Sequence, residues 1–588
     1  MALVINNENG RLQPRRRVLA RDLIGIAVMT AIAAIGYVAF PDNLALLTRM
    51  ITIALLVLSL DLVTGYCGVA TLGHAALFGS GAYAAGILSA HYGINDPLLM
   101  MLAGIAGGAI AGLLSGAIIL RAHGLPQLVL SIALINLFHE FANKASSWTG
   151  GSDGLSGIAP DPIFGIFEFD LYGQTAFFFG MALLLIVFVL LRFLVRSPFG
   201  MLCRGIKQDP LRIRAMGASP KAALIRMYVI SGAVAGVGGA LNGDLDAGRR
   251  PRQPVFHPIG RSACYARARR YRLSLRCALR HGHLHALRGL RLGRQSLPLA
   301  DHGRCAADRR RAFRAERSLR DRRELYRPPQ RAALMSPVFE VANLKKAFGG
   351  LAVTNDVSLA MSPGDRVALI GPNGAGKTTF VNLVTGNLSP DSGEVWLGGE
   401  VVTKVGAIGR VKRGLVRSFQ VTRLFQDMTP AEHVGLAILQ RDGRSGRMFG
   451  NFLHMPEVMA EVDDLLGKLG LTPLMHRKVS EIAYGQQRLL EIAVALALKP
   501  KVLLLDEPAA GVPQSDTGRI EQALADLPAD LAVLMIEHDM DLVFRFARRV
   551  IVLAAGAIIF DGRPEDVTKD ARVREAYLGS YANAGPVA

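Results

Sequence analysis

Lysine is absent from residues 249–331, although this stretch contains 24 arginines and only five acidic residues. The stretch therefore carries +19 of the chain's net charge of +20, and the rest of the chain is close to neutral. A strongly basic protein usually binds nucleic acid or anionic lipid. Because the charge is confined to one segment, the remainder of the chain gives no indication of either partner.

Cysteine is also scarce, and the chain has only five. Three of them, Cys264, Cys277 and Cys305, lie inside the arginine-rich stretch. This spacing excludes the class of small secreted domains that depend on a disulfide framework. No small-residue cleavage site stands out after the first apolar run, so the sequence predicts no removable signal peptide.

Long apolar runs are abundant in the N-terminal half, and most are long enough to cross a bilayer. The third run is rich in glycine and alanine, which is typical of close helix packing or of a re-entrant turn. The runs predict an all-α polytopic membrane domain over residues 1–245, with about seven spans: 22–40, 44–63, 68–90, 98–120, 125–142, 175–195 and 225–243.

The charges between these runs predict the orientation of the domain. Five arginines between positions 11 and 21 precede the first run, which places the N-terminus in the cytoplasm. The segment 143–174 has four acidic residues against Lys144, so we expect it outside. The segment 196–224 has six basic residues against Asp209, so we expect it inside, after six crossings.

Three separated motifs give the N-terminal half a family resemblance. They are "LDLVTGYCGVATLGHAALFGSGAYAAG" at 60–86, "TGGSDGLSGI" at 149–158, and "SPFGMLCRGIKQDPLRIRAMGASP" at 197–220. Together they resemble the permease subunit of branched-chain amino acid ABC importers, over about residues 20–245. The resemblance implies that the third motif forms a coupling helix that docks on an ATPase, although its charge alone would equally fit a solvated loop. It also implies that the last spans of the permease are missing.

The C-terminal half contains a phosphate-binding loop, "GPNGAGKTT" at 371–379. A strand predicted at Arg366–Ile370 precedes the loop and a helix predicted from Lys377 follows it, which is the context that this motif requires. Glycines let backbone N–H groups surround phosphate, and the helix N-terminus favours negative charge. The candidate ATP-binding residues here are Gly371, Asn373, Gly374, Ala375, Gly376, Lys377, Thr378 and Thr379.

A pair of acidic residues follows a second predicted strand, Val502–Leu505, in "KVLLLDEPAAG". The run of apolar residues indicates a buried parallel strand. At its end Asp506 is placed to join the coordination of Mg²⁺, and Glu507 is placed to accept a proton from the attacking water. The two acids therefore predict the hydrolytic side of an ATP site.

The order of four motifs extends this interpretation, because "YGQQR" at 484–488 precedes "LLLDEP" and "EHD" at 537–539 follows it. P-loop, "YGQQR", "LLLDEP" and "EHD" in this order resemble the ATPase of an ABC transporter, over residues 337–582. The resemblance implies that Phe348 stacks on adenine, Gln420 is the Q-loop glutamine and His538 lies near the γ-phosphate. It also implies Mg²⁺ ligands at Thr378, Gln420 and Asp506, and a signature motif that binds the partner subunit's ATP at Ile482, Ala483, Tyr484, Gly485 and Gln486.

Two motifs depart from the general ABC pattern, the signature motif and the D-loop. Ala483 and Tyr484 stand where the usual signature has serine and glycine, so a hydroxyl contact with phosphate is lost. The branched-chain amino acid subfamily shows the same variation, as well as the ending "VREAYLGSY" at 573–581. Pro513 occupies the position of the D-loop aspartate, which puts that contact between subunits in doubt.

The joining segment 246–334 fits neither half. Flexible linkers favour Gly, Ser, Pro, Glu or Lys, whereas this segment mixes Arg with His, Cys, Pro and Leu. After seven spans the chain would leave the membrane outside, and no apolar run of even 15 residues follows to bring it back. Arginine codons dominate when GC-rich DNA is read out of frame. We therefore expect a frameshifted, disordered segment that ends at Met335, the ATPase's own start.

Two other interpretations of the joining segment are weaker. A nucleic-acid-binding arm would combine lysine with arginine, often with aromatic residues, and only two tyrosines lie among the arginines of 265–294. A zinc site would need a second paired cysteine nearby. Its candidate ligands are Cys277, His281, His283 and His285.

The expected protein is multi-domain, with an all-α polytopic membrane domain followed by an α/β P-loop ABC ATPase domain at 335–588. We expect ATP-driven import of branched-chain amino acids across the inner membrane, with ATP and Mg²⁺ as cofactors. The resemblance implies a periplasmic binding protein, a second permease and a second ATPase as partners, and no nucleic acid. The alternatives are a stand-alone ATPase with a non-functional permease remnant, or an importer of urea, amides or aromatic acids.

Overall fold

The computed structural model describes residues 14–158, 160–170, 173–247, 337–420 and 422–582. We refer to residues 14–247 as the helical part and to residues 337–582 as the α/β part. The arginine-rich stretch, with the four candidate zinc ligands, lies outside the described residues. The predicted frameshift and the predicted disorder of 246–334 therefore stay predictions.

Among its described residues, the helical part contains helices and one isolated bridge, between Ile163 and Phe167, but no strands. A single π-helical turn, Leu62–Tyr66, continues α2. The helices are α1 Pro14–Ala39, α2 Leu44–Asp61, α3 His74–Tyr92, α4 Pro97–Ile119, α5 Leu125–Lys144, α6 Ser146–Thr149, α7 Gln174–Arg196, α8 Pro198–Gln208, α9 Pro210–Ala215 and α10 Pro220–Ala247.

Three of these helices begin at a polar residue followed by proline. Asp96 precedes α4, Ser197 precedes α8 and Asp209 precedes α9, and each side chain accepts a backbone N–H of the first turn. A proline at the first helical position loses nothing, because its missing N–H would have no partner there. Capping of this kind stabilises a helix start by roughly 1 kcal/mol.

Six helices of the described residues are long and apolar enough to cross a membrane. The predicted span 68–90 has no counterpart among these six, and its residues 74–90 belong to α3, which is one continuous helix rather than a re-entrant turn. Its glycine, alanine, serine and histidine residues make it less apolar than the others. The six candidate spans are Asp22–Ala39, Pro41–Tyr66, Pro97–Ile119, Leu125–Lys144, Gln174–Arg196 and Pro220–Asn242.

Glycines allow α10 to contact α3 and α4 at backbone distance. A Cβ atom added at Gly108 of α4 would lie 2.2 Å from the carbonyl oxygen of Gly232 in α10. One added at Gly236 of α10 would lie 2.1 Å from the carbonyl oxygen of Gly104. Since lipid is as apolar as the side chains, such close van der Waals packing is what holds membrane helices together. The close packing predicted for the third run is present, because Gly81 of α3 meets the same stretch of α10.

We expect Gly108→Val to disrupt the contact between α4 and α10, because its side chain has no room beside the Gly232 carbonyl. Overpacking of this kind costs about 1–3 kcal/mol or more. The fraction of protein that stays monodisperse in detergent after heating measures the effect. Gly79→Val in α3 is the matched control, because nothing lies within 4 Å of a Cβ at that position. If both variants lowered the monodisperse fraction equally, the close contact between α4 and α10 at Gly108 would be contradicted.

The two ends of the helical part can be told apart by their contacts. Asp22, near the start of α1, forms ion pairs with Arg192 and Arg196 at the end of α7, so these two ends lie on one face. The helices α8 and α9 follow α7 directly on that face. Leu241, near the end of α10, contacts Gly180 near the start of α7 instead. The chain therefore leaves α10 at the face opposite α8 and α9.

The α/β part contains two sheets and the helices around them. The strands are β1 Phe339–Phe348, β2 Leu351–Met361, β3 Arg366–Ile370, β4 Ser392–Leu397, β5 Glu400–Val401, β6 Leu415–Arg417, β7 Val502–Asp506, β8 Ala532–Ile536, β9 Arg549–Ala554 and β10 Ala557–Gly562. The helices are α11 Lys377–Thr385, α12 Ala407–Lys412, α13 Pro430–Arg441, α14 Pro456–Lys468, α15 Tyr484–Ala497, α16 Gln514–Ala525, α17 Met540–Phe546, α18 Pro564–Val567 and α19 Ala571–Ala582.

The larger sheet determines where the functional residues meet. Its six strands lie in the order β10-β9-β3-β8-β7-β6, and all neighbours are parallel except β10 and β9. The strands predicted at Arg366–Ile370 and Val502–Leu505 are β3 and β7, with β8 between them. Ligands of such sheets bind at the carboxyl ends of the strands. The fold class predicted from the sequence is confirmed in both halves.

Candidate functional site

The loop between β3 and α11 has a conformation that only glycine tolerates at two positions. Gly371 has φ 156° and Gly376 has φ 99°. A Cβ atom at Gly371 would lie 2.1 Å from the carbonyl oxygen of Leu553, and one at Gly376 would lie 2.4 Å from that of Val353. The loop therefore passes close to β9 and β2, and the N-terminus of α11 follows directly behind it.

Lys377 begins α11 and folds back over the loop. Its Nζ atom donates hydrogen bonds to the carbonyl oxygens of Gly371, at 2.5 Å, and Pro372, at 3.0 Å. Burial lowers the pKa of Lys377, while the nearby carboxylates of Glu507 and Asp506 act in the opposite direction. An ammonium group in this position, beside a helix N-terminus, suits the binding of a phosphate chain.

Glu507 and His538, the two predicted catalytic residues, are in contact, and Glu507 also contacts Gln420, a predicted ATP and Mg²⁺ ligand. The amide of Gln420 donates a hydrogen bond of 2.9 Å to one carboxylate oxygen of Glu507. The Nε2 atom of His538 lies 3.3 Å from the other oxygen. Glu507 has φ 47°, which is unusual for a residue with a side chain, and its N–H donates to Ile536 at the end of β8. The sheet thus brings Glu507 together with its two predicted neighbours from distant parts of the sequence.

Asp506 and its neighbours provide the oxygen donors that Mg²⁺ prefers. The buried Asp506 carboxylate pairs with Arg417 through one oxygen, at 2.6 Å. The Gln420 amide oxygen is left available, since its nitrogen is the group bonded to Glu507. The Thr378 side chain is exposed. Hydroxyl, amide and carboxylate oxygens are hard donors, and Mg²⁺ typically takes few of them because it keeps water and phosphate ligands. The residues present therefore fit Mg²⁺.

The remaining predicted ATP contacts differ in exposure. Phe348 ends β1 with half of its surface exposed, and Lys346 lies 5.8 Å from its ring centroid. Asn373, Gly374 and Thr378 are exposed in or just after the loop, while Ala375 is buried and Gly376 and Thr379 are partly buried.

The signature residues lie around the start of α15, with Ala483 as the residue before the helix. Ala483 and Tyr484 are exposed, Gln486 is partly buried and Gly485 is buried against Asp516. Among the residues that the structure describes, no hydrogen bond joins these four to the loop 371–379.

Several residues that hold the site in place were not predicted. Glu537 is buried before His538 and accepts the N–H groups of Ala509 and His538; burial raises its pKa. Arg410, nearly fully buried, donates to carbonyl oxygens at the end of α11. Arg417 pairs with Asp506. The position of Glu537 in the motif "EHD" could have indicated its role. The contacts of Arg410 and Arg417 could not be predicted, because neither arginine lies in a recognised motif.

The predicted coupling segment contacts the α/β part. Arg204 of α8 forms an ion pair of 2.8 Å with Glu432, and Asp209 forms one of 2.9 Å with Arg423. The N–H of Phe199 donates to the carbonyl oxygen of Arg447 at 3.1 Å. The docking that the family resemblance implied is therefore confirmed.

An aromatic stack lies beneath this contact. The Phe425 ring stacks on His433 with centroids 5.0 Å apart, and a Cβ atom at Gly205 of α8 would lie 3.2 Å from the Phe425 ring. His433 accepts the N–H of Phe425 through Nε2. Burial lowers the pKa of His433 to about 3, so this histidine is neutral at physiological pH. The absence of a side chain at Gly205 lets α8 approach the ring.

Three family models match the chain. The one described as "Branched-chain amino acid transport system / permease component" matches residues 43–245. The one described as "ABC transporter" matches residues 354–510, and "Branched-chain amino acid ATP-binding cassette transporter" matches residues 557–583.

Curated proteins match the α/β part. The branched-chain amino acid transport ATP-binding protein BraF of Pseudomonas aeruginosa is 37% identical over 252 residues, which is 41% of this chain and 98% of that protein. LivG of Escherichia coli is 36% identical over 255 residues, covering 42% of this chain and 99% of that protein.

A crystal structure of a nucleotide-free ATP-binding cassette from an ABC transporter also matches. It is 30% identical, covers 42% of this chain and 100% of that chain, and has a TM-score of 0.38. The family models and the curated relatives identify the α/β part as an ATP-binding and ATP-hydrolysing cassette, and the helical part as a permease component. The chain belongs to the branched-chain amino acid ABC transporter family and joins a permease part to an ATPase part.

Proposed function

We propose that this chain takes part in the ATP-driven import of branched-chain amino acids across the inner membrane. The observation that carries this proposal is the combination of a permease part with a cassette whose relatives are named for branched-chain amino acid transport. The contact of α8 and α9 with the α/β part supports a mechanical link between the two activities.

In this proposal each residue of the site has a separate task. Lys377 and the N–H groups at the start of α11 hold the phosphate chain of ATP, with Phe348 against the adenine. Gln420 and His538 orient the attacking water and the terminal phosphate, and Glu507 accepts the proton of that water. Thr378, Gln420 and Asp506 would hold Mg²⁺, which would supply positive charge next to the phosphates.

The proposed partners follow from the family to which the chain belongs. Ala483–Gln486 make no hydrogen bond to the P-loop among the described residues, and we assign them to the ATP of a second ATPase subunit. A second permease and a periplasmic binding protein complete the proposed transporter. Pro513, the residue before α16, cannot supply the carboxylate that the family resemblance implies for the D-loop.

Two alternatives remain to be separated by experiment. Permeases related to this family also carry urea, amides or aromatic acids, and no residue of the helical part distinguishes these cargoes. A stand-alone ATPase with a non-functional permease remnant is the second alternative, and it would hydrolyse ATP without any transport.

We also propose that the chain divides into a permease domain at 1–245, an out-of-frame segment at 246–334 and an ATPase domain at 335–588. The support is that α10 ends at the face opposite α8 and α9, whereas the α/β part contacts α8 and α9. The DNA sequence across codons 240–340 tests this division. We expect the neighbouring frame there to encode further apolar helices, and a frame without them would overturn the proposal.

Uptake of labelled leucine tests the function. The chain is expressed with its partner subunits and binding protein in cells that lack their own leucine uptake, both as it stands and with the reading frame restored. We expect strong, ATP-dependent uptake from the restored form and little from the chain as it stands. Wild-type-like uptake by the latter would overturn the frame proposal. If the restored form took up urea or phenylalanine but not leucine, the proposal that the cargo is a branched-chain amino acid would be wrong.

A further inference from the structure

A buried carboxylate lies between the permease part and the catalytic centre. Glu491 of α15 is almost completely buried, with its side chain 2% exposed, and so are Arg212 of α9, at 4%, and Arg488 of α15, at 3%. One guanidinium therefore comes from the permease part and the other from the ATPase part. A carboxylate shared by two buried guanidinium groups is costly to disturb, because removing it leaves buried charge unpaired.

Both oxygens of Glu491 are engaged. Oε1 lies 3.5 Å from an Arg212 nitrogen and accepts the backbone N–H of Arg423 at 3.2 Å. Oε2 accepts a hydrogen bond of 3.2 Å from Arg488. The Nε and second terminal nitrogen of Arg212 have no hydrogen-bond partner among the described residues, so Glu491 is its direct acidic contact there.

Arg488 continues the connection to the catalytic residues. It donates to the carbonyl oxygen of Phe419 at 2.9 Å, to that of Gln420 beside it, and to that of Ala510 at 3.4 Å. Gln420 carries the amide that is bonded to Glu507, and Ala510 follows Glu507 by three positions. One side chain thus fixes the backbone on both sides of the Gln420–Glu507 hydrogen bond.

We propose that Glu491 is a positioning residue that links the docking of α9 to ATP hydrolysis, through Arg212 on one side and Arg488 on the other. When Arg212 is paired with Glu491, Glu491 also orients Arg488. Arg488 in turn fixes the backbone positions of the Gln420 and Glu507 segments. Movement of α9 withdraws Arg212 and changes the balance of charge around Glu491. The inference rests on the proposed function for the role of α9, but its test measures ATP hydrolysis without any cargo.

The test compares Glu491→Gln with a matched control in the permease and ATPase parts, encoded in the frames that the DNA sequence establishes and purified together in detergent. The control is Glu461→Gln, because Glu461 also accepts from two cations, Arg441 and Lys499, but does not contact the permease part or the Gln420 segment. We expect Glu491→Gln to lower kcat for ATP at least tenfold with KM changed less than about threefold, since Glu491 does not touch the nucleotide. Glu491→Asp should recover part of the loss, and the control should change little.

A second variant keeps the inference testable if Glu491→Gln does not fold. Arg212→Met alters only the permease part, and we expect it to lower kcat severalfold with KM unchanged. In the double variant Arg212→Met, Glu491→Gln the losses should not multiply, because both substitutions break one connection. Unchanged hydrolysis in Arg212→Met, multiplied losses in the double variant, or a parallel rise in KM would each overturn the inference. None of these outcomes depends on which cargo is transported.

Discussion

Replacing Glu507 by glutamine is expected to abolish ATP turnover and to leave ATP binding intact. The substitution keeps the size of the side chain and an oxygen that accepts the Gln420 hydrogen bond, but it removes the basic group. Loss of a general base typically lowers kcat by about 10²- to 10⁴-fold. Steady-state hydrolysis and binding of labelled ATP by the same purified protein measure the two effects separately.

Two further variants control this experiment. Glu521→Gln removes a carboxylate that pairs with Arg545 on the surface, and it should hydrolyse ATP normally. Glu537→Gln replaces the second acid near the site, which holds backbone N–H groups rather than facing Gln420. If Glu537→Gln abolished turnover while Glu507→Gln did not, the base would be assigned to the wrong residue.

Replacing Arg410 by methionine is expected to destabilise the α/β part strongly. The nearly fully buried guanidinium donates to four backbone carbonyl oxygens, at 2.7 to 2.8 Å. Two of them, those of Leu383 and Val384, belong to the last turn of α11, so Arg410 closes the end of the P-loop helix. Each buried acceptor left without a partner costs about 1–3 kcal/mol. We therefore expect a loss of at least about 3 kcal/mol.

A loss of this size lowers the melting temperature of a domain of this length by roughly 10 °C. Thermal unfolding is followed by the fluorescence of Trp396 in a Trp148→Phe background, since the chain has two tryptophans. The matched control is Arg413→Met one turn later, whose partner Glu400 is an exposed surface contact worth at most about 1 kcal/mol. Equal melting temperatures in the two variants would show that the Arg410 hydrogen bonds contribute little.

The sequence predicted the elements that have strong local patterns. The strand before the P-loop, the helix after it and the buried strand before Asp506 are found where they were expected. A parallel sheet brings strand ends together whatever their separation, and the structure places Gln420, Glu507 and His538 in contact there. The local pattern indicated Glu507, whereas Gln420 and His538 were identified from the resemblance to ABC ATPases.

The residues that support the site could not be predicted in the same way. Arg212 and Glu491 are 279 positions apart, and neither lies in a motif that indicates a partner. Arg410 is one of many arginines in the sequence, and its burial depends on the packing of the α11 end against the segment 403–405. Buried charge pairs depend on tertiary packing, which leaves no periodic pattern in the sequence. The π-helical turn that continues α2 likewise has no periodic pattern in the sequence that indicates it.

The most direct test is the effect of leucine on ATP hydrolysis. The permease and ATPase parts, in the frames that the DNA sequence establishes, are reconstituted in vesicles with the partner subunits. ATP hydrolysis is then measured as leucine-loaded binding protein is added. We expect hydrolysis to rise with leucine-loaded binding protein and not with the unloaded form. Hydrolysis that stays constant in the presence of both would contradict a branched-chain amino acid transporter driven by this ATPase.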